Sequence, residues 1–236
     1  MSTLWEERAE AWIAWARSTN DSYWSYRDSF FQLVPAAGDR TIEIGCGEGR
    51  VARDLAVRGH SVVGVDAAPT LIEAAATADP AGEYLVADAA ALPFEDASFD
   101  LAVAYNSLMD IDDMDGAVRE AWRVLRTGSR FSVCVTHPVN DAGHFEPDTG
   151  DGAFFVDLYR GRRRYDEVWE RPGVSMRSVG WCYPLESYTR GLGDAGFLIE
   201  AIREPSAPAE RVAARSKALR RLRIPNFLML RALKPA

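Results

Sequence analysis

Glu43, Gly45, Gly47 and Gly49 are the residues of this chain best placed to do chemistry. An acid and three glycines stand at alternate positions, within and directly after the apolar run Thr41-Ile42-Glu43-Ile44. Glycines there permit positive φ and let a ligand approach bare main chain. A helix-like stretch follows from Arg50, and the free amides of a helix N-terminus attract a ligand's polar groups. Strand, glycine turn and helix in that order describe a nucleotide-type site at the first βα turn of a doubly wound sheet. The dinucleotide fingerprint needs its third glycine five residues after the first. That position is Arg50, and Gly49 comes one place early. An arginine there argues against tight helix packing beside a pyrophosphate. Glu43 would repel a diphosphate and attract an ammonium or sulfonium group.

The run Glu43-Ile44-Gly45-Cys46-Gly47-Glu48-Gly49 resembles motif I of the class I S-adenosylmethionine-dependent methyltransferases, in particular the type 11 group acting on small molecules. Further motifs follow in the same order. Val62-Val63-Gly64-Val65-Asp66 resembles the second strand, and Asp66 lies twenty-one positions after Gly45, near the spacing of about 20 for a ribose-binding acid. Tyr84-Leu85-Val86-Ala87-Asp88-Ala89 resembles the third strand with its adenine-binding Asp. Leu92-Pro93-Phe94 and Ser98-Phe99-Asp100-Leu101 lead into the fourth strand, Tyr105-Asn106-Ser107-Leu108-Met109 ends it, and Arg123-Val124-Leu125-Arg126-Thr127-Gly128 precedes the fifth. The resemblance runs over residues 40–136 and, more loosely, the C-terminal third. It implies S-adenosylmethionine as cofactor. Glu43, Gly45, Cys46 (through its amide) and Gly47 would meet it at the loop, Asp66 and Ala67 at the ribose, Asp88 and Ala89 at the adenine, and Asn106 and Ser107 at the methionine part. Asp66 and Asp88 have compatible rival roles as caps of the backbone that follows them. Arg17 is expected either to fork onto the cofactor's carboxylate or to complement the C-terminal dipole of the first helix.

These residues need an alternating scaffold. Strands are expected near 40–44, 61–65, 83–86, 99–104 and 129–136, with helices near 49–58, 69–78 and 113–125, so the units are βαβ and the sheet is parallel. Two helices precede the sheet, at 4–17 and about 21–33, and form the expected lid (1–36) ahead of the cofactor-binding core (37–137). Residues 138–182 break the rhythm with glycines, prolines and alternating aromatics, which predicts short antiparallel strands serving as a substrate cap. In the last part (183–236), a helix over 184–195 stops at Gly196, and strands follow at 197–202 and 227–232. An amphipathic helix is expected between them at 208–222. The resemblance adds the strand order 3-2-1-4-5-7-6. The fold class is therefore α/β, a Rossmann-like doubly wound, seven-stranded, mostly parallel sheet in one methyltransferase domain.

Bulk properties narrow the partners. The chain has 236 residues and a net charge of −8, against a basic face for nucleic acid. Arg211, Arg215, Lys217, Arg220, Arg221 and Arg223 make a basic tail, read as a solvated helix face. Three scattered cysteines, Cys46, Cys134 and Cys182, imply neither a disulfide framework nor a zinc site. With no apolar leader or spanning segment in the sequence given, the expectation is a cytoplasmic chain, monomer or homodimer, with no membrane partner.

A sulfonium methyl is already an activated electrophile, so the expected work is to position the acceptor and exclude water; positioning alone accounts for about 7–11 kcal/mol of a barrier. A base is needed only for a hydroxyl or a protonated amine. His137, in Val135-Thr136-His137-Pro138 at the end of the fifth strand, is the preferred base. Its rival role is to hold the cap by hydrogen bonds. Tyr23, Tyr26, His137 and Tyr183 are candidate acceptor contacts, with His144 a weaker base. The acids Asp110, Asp112, Asp113 and Asp115 read as helix-start residues rather than a magnesium site. The expected activity is methyl transfer to an O or N atom of a small organic molecule, of natural-product or quinone type. The alternatives are a nicotinamide-dependent oxidoreductase and a non-catalytic S-adenosylmethionine binder.

Overall fold

The computed structural model describes residues 2–18, 21–149, 151–171, 173–209, 212 and 216–236. Two short helices open the chain, α1 (Ser2–Glu6) and α2 (Ala9–Ala16), where the sequence predicts one. The break at Glu7 and Arg8 turns Arg8 inward, to 9% exposure. It also lets Glu6 accept hydrogen bonds from the Thr70 amide at 3.1 Å and hydroxyl at 2.6 Å, at the start of a later helix. The next helix is α3 (Tyr23–Phe31), followed by β1 (Thr41–Ile44), α4 (Arg50–Val57), β2 (Val62–Asp66), α5 (Pro69–Ala78), β3 (Glu83–Val86) and β4 (Phe99–Tyr105). A 3-10 turn, Leu108–Asp110, leads to α6 (Met114–Val124) and β5 (Leu125–Thr136).

The insertion then forms α7 (Pro138–Asp141) and two antiparallel hairpins, β6 (Gly143–Glu146) with β7 (Ala153–Val156) and β8 (Arg163–Arg171) with β9 (Val174–Cys182). The chain closes with α8 (Leu185–Ala195), β10 (Leu198–Arg203) and β11 (Phe227–Leu233). The seven-stranded sheet has the order β3-β2-β1-β4-β5-β11-β10. That is the expected 3-2-1-4-5-7-6 once the four insertion strands are left out of the numbering. β11 runs antiparallel to both neighbours, β5 and β10. Gly196, at φ 102°, ends α8 as expected.

β1 is buried along its whole length and β4 at every residue but Asp100, because helices cover both sheet faces. One face buries Ile42, Ile44, Phe99, Leu125 and Phe131 beneath α6 and α8. The other buries Leu101, Val103 and Tyr105 with Leu55 of α4 and with Tyr23, Tyr26 and Phe30 of α3. The expectation that α3 belongs to a lid is therefore corrected. Its aromatic face packs on the sheet, as the edge-to-face contacts of Tyr23 with Tyr105 (5.3 Å) and Tyr26 with Phe227 (4.9 Å) show. α1 and α2 form the separate cover, with Ala9 and Ile13 against Ala68 and Leu71. Arg211 and Arg215 of the basic tail, and the side chain of Lys217, lie outside the described residues; Ser216–Leu222 is a 3-10 helix rather than an α-helix.

Candidate cofactor and acceptor site

The parallel strands β1, β2, β3 and β4 end on one edge, and a cavity of about 500 Å³ opens there. Its first wall is the glycine turn. Gly45, Gly47 and Gly49 take φ of 72°, 56° and 80°, which l-residues with side chains resist. Space is as restrictive as φ: a Cβ on Gly45 would overlap the Ser107 side chain, and one on Gly47 would sit 3.0 Å from the Trp12 indole nitrogen. Ser107 Oγ donates to the Ile44 carbonyl at 2.6 Å, so the end of β4 is tied to the turn after β1.

Three acids stand around this turn. Glu43 is 1% exposed, and its Oε2 has no hydrogen-bond partner among the described residues. Burial, then the charge of Glu48, pushes its carboxyl well above the usual range. Asp66 accepts from the Gly47 amide at 2.9 Å and the Ala68 amide at 3.0 Å. Burial raises its pKa while those amides oppose the rise. Asp88 is exposed and accepts from the Ala90 amide at 2.9 Å. The capping roles of Asp66 and Asp88 thus coexist with open carboxylate capacity, since each oxygen carries two lone pairs.

Of the residues expected from the sequence, Glu43, Gly45, Cys46, Gly47, Asp66, Ala67, Asp88, Ala89, Asn106 and Ser107 all line this cavity. Asn106 does so in a left-handed conformation, φ 52°, with its amide donating to the Cys134 carbonyl at 2.7 Å. Five expectations fall elsewhere. Arg17 is exposed at the C-terminal end of α2, one residue past the packed stretch, and does not line the cavity. Tyr23 lies behind the Tyr105 ring and donates to Asp54 at 2.5 Å, and Tyr26 packs on Phe227. Tyr183 is 7% exposed, with its ring 5.6 Å from that of Tyr188 in the core under α8. His137 has both ring nitrogens engaged, Nδ1 accepting from the Val139 amide at 3.1 Å and Nε2 2.8 Å from Glu204. It caps α7, the structural role, and is absent from the cavity wall.

The remaining wall comes from the first of the two helices expected to form a lid and from the acidic run before α6. Trp5 and Trp12, edge to face at 5.6 Å, cover the cavity from α1 and α2. Arg50 bonds Asp21 at 3.0 Å and stacks over Tyr23 at 4.6 Å and Trp12 at 5.4 Å, tying that cover to the glycine turn. Asp110, Ile111, Asp112 and Asp113 form the end of the cavity past β4. No group of His, Cys, Asp and Glu with metal-binding geometry occurs among the described residues. No helix among them is long and apolar enough to cross a membrane.

Comparison with known proteins agrees with this geometry. Residues 42–133 match the family model described as a methyltransferase domain of the type 11 group. The chain is 38% identical over 109 residues to the O-methyltransferase resE of Aspergillus sclerotiorum, covering 43% of this chain and 41% of that protein. It is 35% identical over 190 residues to the O-methyltransferase cnsE of Penicillium expansum, covering 78% and 62%. The matched stretches thus span less than two thirds of either relative. A solved S-adenosylmethionine-dependent methyltransferase from Mesorhizobium loti superposes with a TM-score of 0.72 at 24% identity, over 90% of this chain and 98% of that one. Residues 42–133, which carry the glycine turn and the acids around it, are thus similar to the methyltransferase domain of the type 11 group.

Proposed function

We propose that this protein transfers a methyl group from S-adenosylmethionine to an O or N atom of a small organic molecule. The observation that carries the reading is the buried, unpartnered Oε2 of Glu43 beside a turn whose glycines exclude side chains. A buried carboxylate oxygen without a partner is costly. A cationic amine in the cavity would complete it. Glu43 is assigned to the cofactor's ammonium, Asp66 to the ribose hydroxyls and Asp88 to the adenine amine. Gly45, Cys46, Gly47, Asn106 and Ser107 present main chain to the rest. When bound, the cofactor supplies an activated methyl electrophile. The chain's own contribution is to orient the acceptor and keep water out, with Trp5 and Trp12 as the closing surface.

Two matched relatives are named O-methyltransferases, which supports oxygen as the methylated atom. Residues 138–182 are assigned as the acceptor cap because the β8–β9 hairpin reaches the cavity end through Tyr165 and Trp181. Titration calorimetry tests the cofactor: S-adenosylmethionine and S-adenosylhomocysteine should bind and NAD should not. Binding of NAD alone would reverse the reading. Label transfer from methyl-tritiated cofactor separates an enzyme from a non-catalytic binder, which would bind and transfer nothing.

A further inference from the structure

At the far end of the cavity a carboxylate meets a hydroxyl from the insertion. Asp110 ends the 3-10 turn after β4 and lines the cavity. The only hydrogen-bond donor to its carboxylate among the described residues is the Tyr165 hydroxyl of β8, 3.5 Å from Oδ1. That is the long limit of hydrogen bonding. Tyr165 is itself met by Ser178 Oγ of β9, also at 3.5 Å. Across the hairpin, Gly180 is the register partner of Tyr165. A Cβ on Gly180 would stand 2.5 Å from Asp110 Oδ1 and 2.7 Å from the Tyr165 oxygen. The absence of a side chain at 180 thus makes the space in which this pair sits.

No cation lies within ion-pairing distance of Asp110 among the described residues; Arg8, from the turn between α1 and α2, acts on it by charge, and Arg8 Nη1 is buried without a hydrogen-bond partner. The acids Asp66 at the end of β2 and Asp141 in α7 also face this region. Burial dominates and pushes the Asp110 carboxyl well above the usual carboxylate range, with Tyr165 and Arg8 opposing. Glu43, Asp66 and Asp88 cluster at the glycine turn and β3; of the acids at the other end, Asp112 and Asp113 are exposed, and Asp110 is the more enclosed one, under the hairpin. His137 is fully engaged outside the cavity.

We propose that Asp110 is the general base for a hydroxylated acceptor of phenol type that enters beneath the β8–β9 hairpin, with Tyr165 orienting the acceptor oxygen. This rests on the methyl-transfer reading above. The acceptor O–H bond breaks and its proton passes to an Asp110 oxygen. The oxygen lone pair forms the new O–C bond, and the electron pair of the breaking C–S bond stays on the thioether sulfur. A base must be ionised, so transfer rises with pH as Asp110 loses its proton. The acidic limb should therefore lie above the range of an ordinary aspartate.

The test uses the whole chain and two probes. At mildly acidic pH 4-nitrophenol keeps most of its proton, whereas 4-nitrothiophenol, the stronger acid, is already largely ionised and needs no base. At that pH Asp110→Asn should lower methyl transfer to 4-nitrophenol by about 10²-fold, the usual size of general-base catalysis, and leave only the acidic limb set by the phenol's own ionisation. Transfer to 4-nitrothiophenol and affinity for S-adenosylhomocysteine should stay within about threefold, a margin well below the expected loss. Tyr165→Phe should raise KM for the phenol more than it lowers kcat. With S-adenosylhomocysteine bound and no methyl available, 4-nitrophenol should show more phenolate absorbance on the parent than on Asp110→Asn. Undiminished phenol methylation by Asp110→Asn would overturn the proposal, as would equal loss on both probes with weakened S-adenosylhomocysteine binding, which marks a cofactor ligand. A parent that binds cofactor and methylates neither probe overturns the phenol assignment. A parent that binds no cofactor overturns the methyl-transfer reading instead.

Discussion

The two ends of the cavity are built in different ways. The glycine-turn end is local: Glu43, Gly45, Cys46, Gly47, Gly49 and Arg50 come from one short stretch, fixed by backbone φ and by close contact with Ser107 and Trp12. The hairpin end is assembled from distant segments. Asp110 and Tyr165 are brought together across the insertion, Trp181 Nε1 donates to Asp112 at 3.0 Å, and Trp15 of α2 lies 5.9 Å from Trp169 of β8. A site made of backbone tolerates almost no substitution but needs little long-range packing. A site made of side chains from several elements can change its acceptor while the cofactor end stays fixed.

This contrast can be broken at its strongest point first. Gly45→Val should cost about 3 kcal/mol or more, combining about 1–2 kcal/mol for a left-handed side-chain-bearing residue with about 1–3 for overpacking. Thermal denaturation and calorimetry would show lost stability together with lost cofactor binding, whereas a stable, cofactor-binding variant would refute a backbone-built site. Asp66→Ala should weaken cofactor affinity by about 10²-fold, since each hydrogen bond to a charged group contributes about 1.5–3 kcal/mol. Retained affinity would remove Asp66 from the ribose.

Glu43→Gln sharpens the comparison through pH. The folded protein holds the Glu43 carboxyl well above its unfolded value of 4.5. The neutral form therefore stabilises the empty fold at low pH, and that contribution is lost as pH rises through the folded value. Glu43→Gln should match the parent in melting temperature near pH 4 and exceed it at pH 8, while binding cofactor more weakly. A melting difference independent of pH would sink this account. The smallest effect is expected at the junction of cover and hairpin. Trp169→Ala removes two aromatic contacts, with Trp15 and with Tyr165, of about 0.5–1.5 kcal/mol each at most. It should speed cofactor release in stopped-flow measurements with only a slight fall in melting temperature; an unchanged release rate would separate α2 from the hairpin functionally.

Much of this molecule was legible in its residues because its order is repetitive and local. β-branched runs ending in Ile44 and Asp66 gave the first two parallel strands, the resemblance gave the third, and alternate glycines gave the turn between β1 and α4. The ten cavity residues named in advance come from strand ends, where a doubly wound sheet must bind its ligand. The misses share a physical cause. Tyr23 and Tyr26 carry a polar tip on a large apolar ring, and their sequence does not say whether sheet or ligand takes the ring. His137 stands at the correct strand end, but the position of Glu204, far along the chain, fixes where its imidazole is held. Arg17 was separated from the cavity by the point at which α2 stops.

The amino-acid order by itself therefore determined the alternation of strands and helices and the glycine turn, because strand period, glycine φ and turn length act within a few residues of one another; the strand order and the cofactor residues came from the family resemblance. Tertiary structure decided what covers the cavity and which acid faces the acceptor. The half-buried setting of Asp110, the space left by Gly180 and the inward turn of Arg8 depend on how α2, the β8–β9 hairpin and the end of β4 pack together. Desolvation and contact across such separations are properties of the packed molecule, and no periodicity along the chain records them.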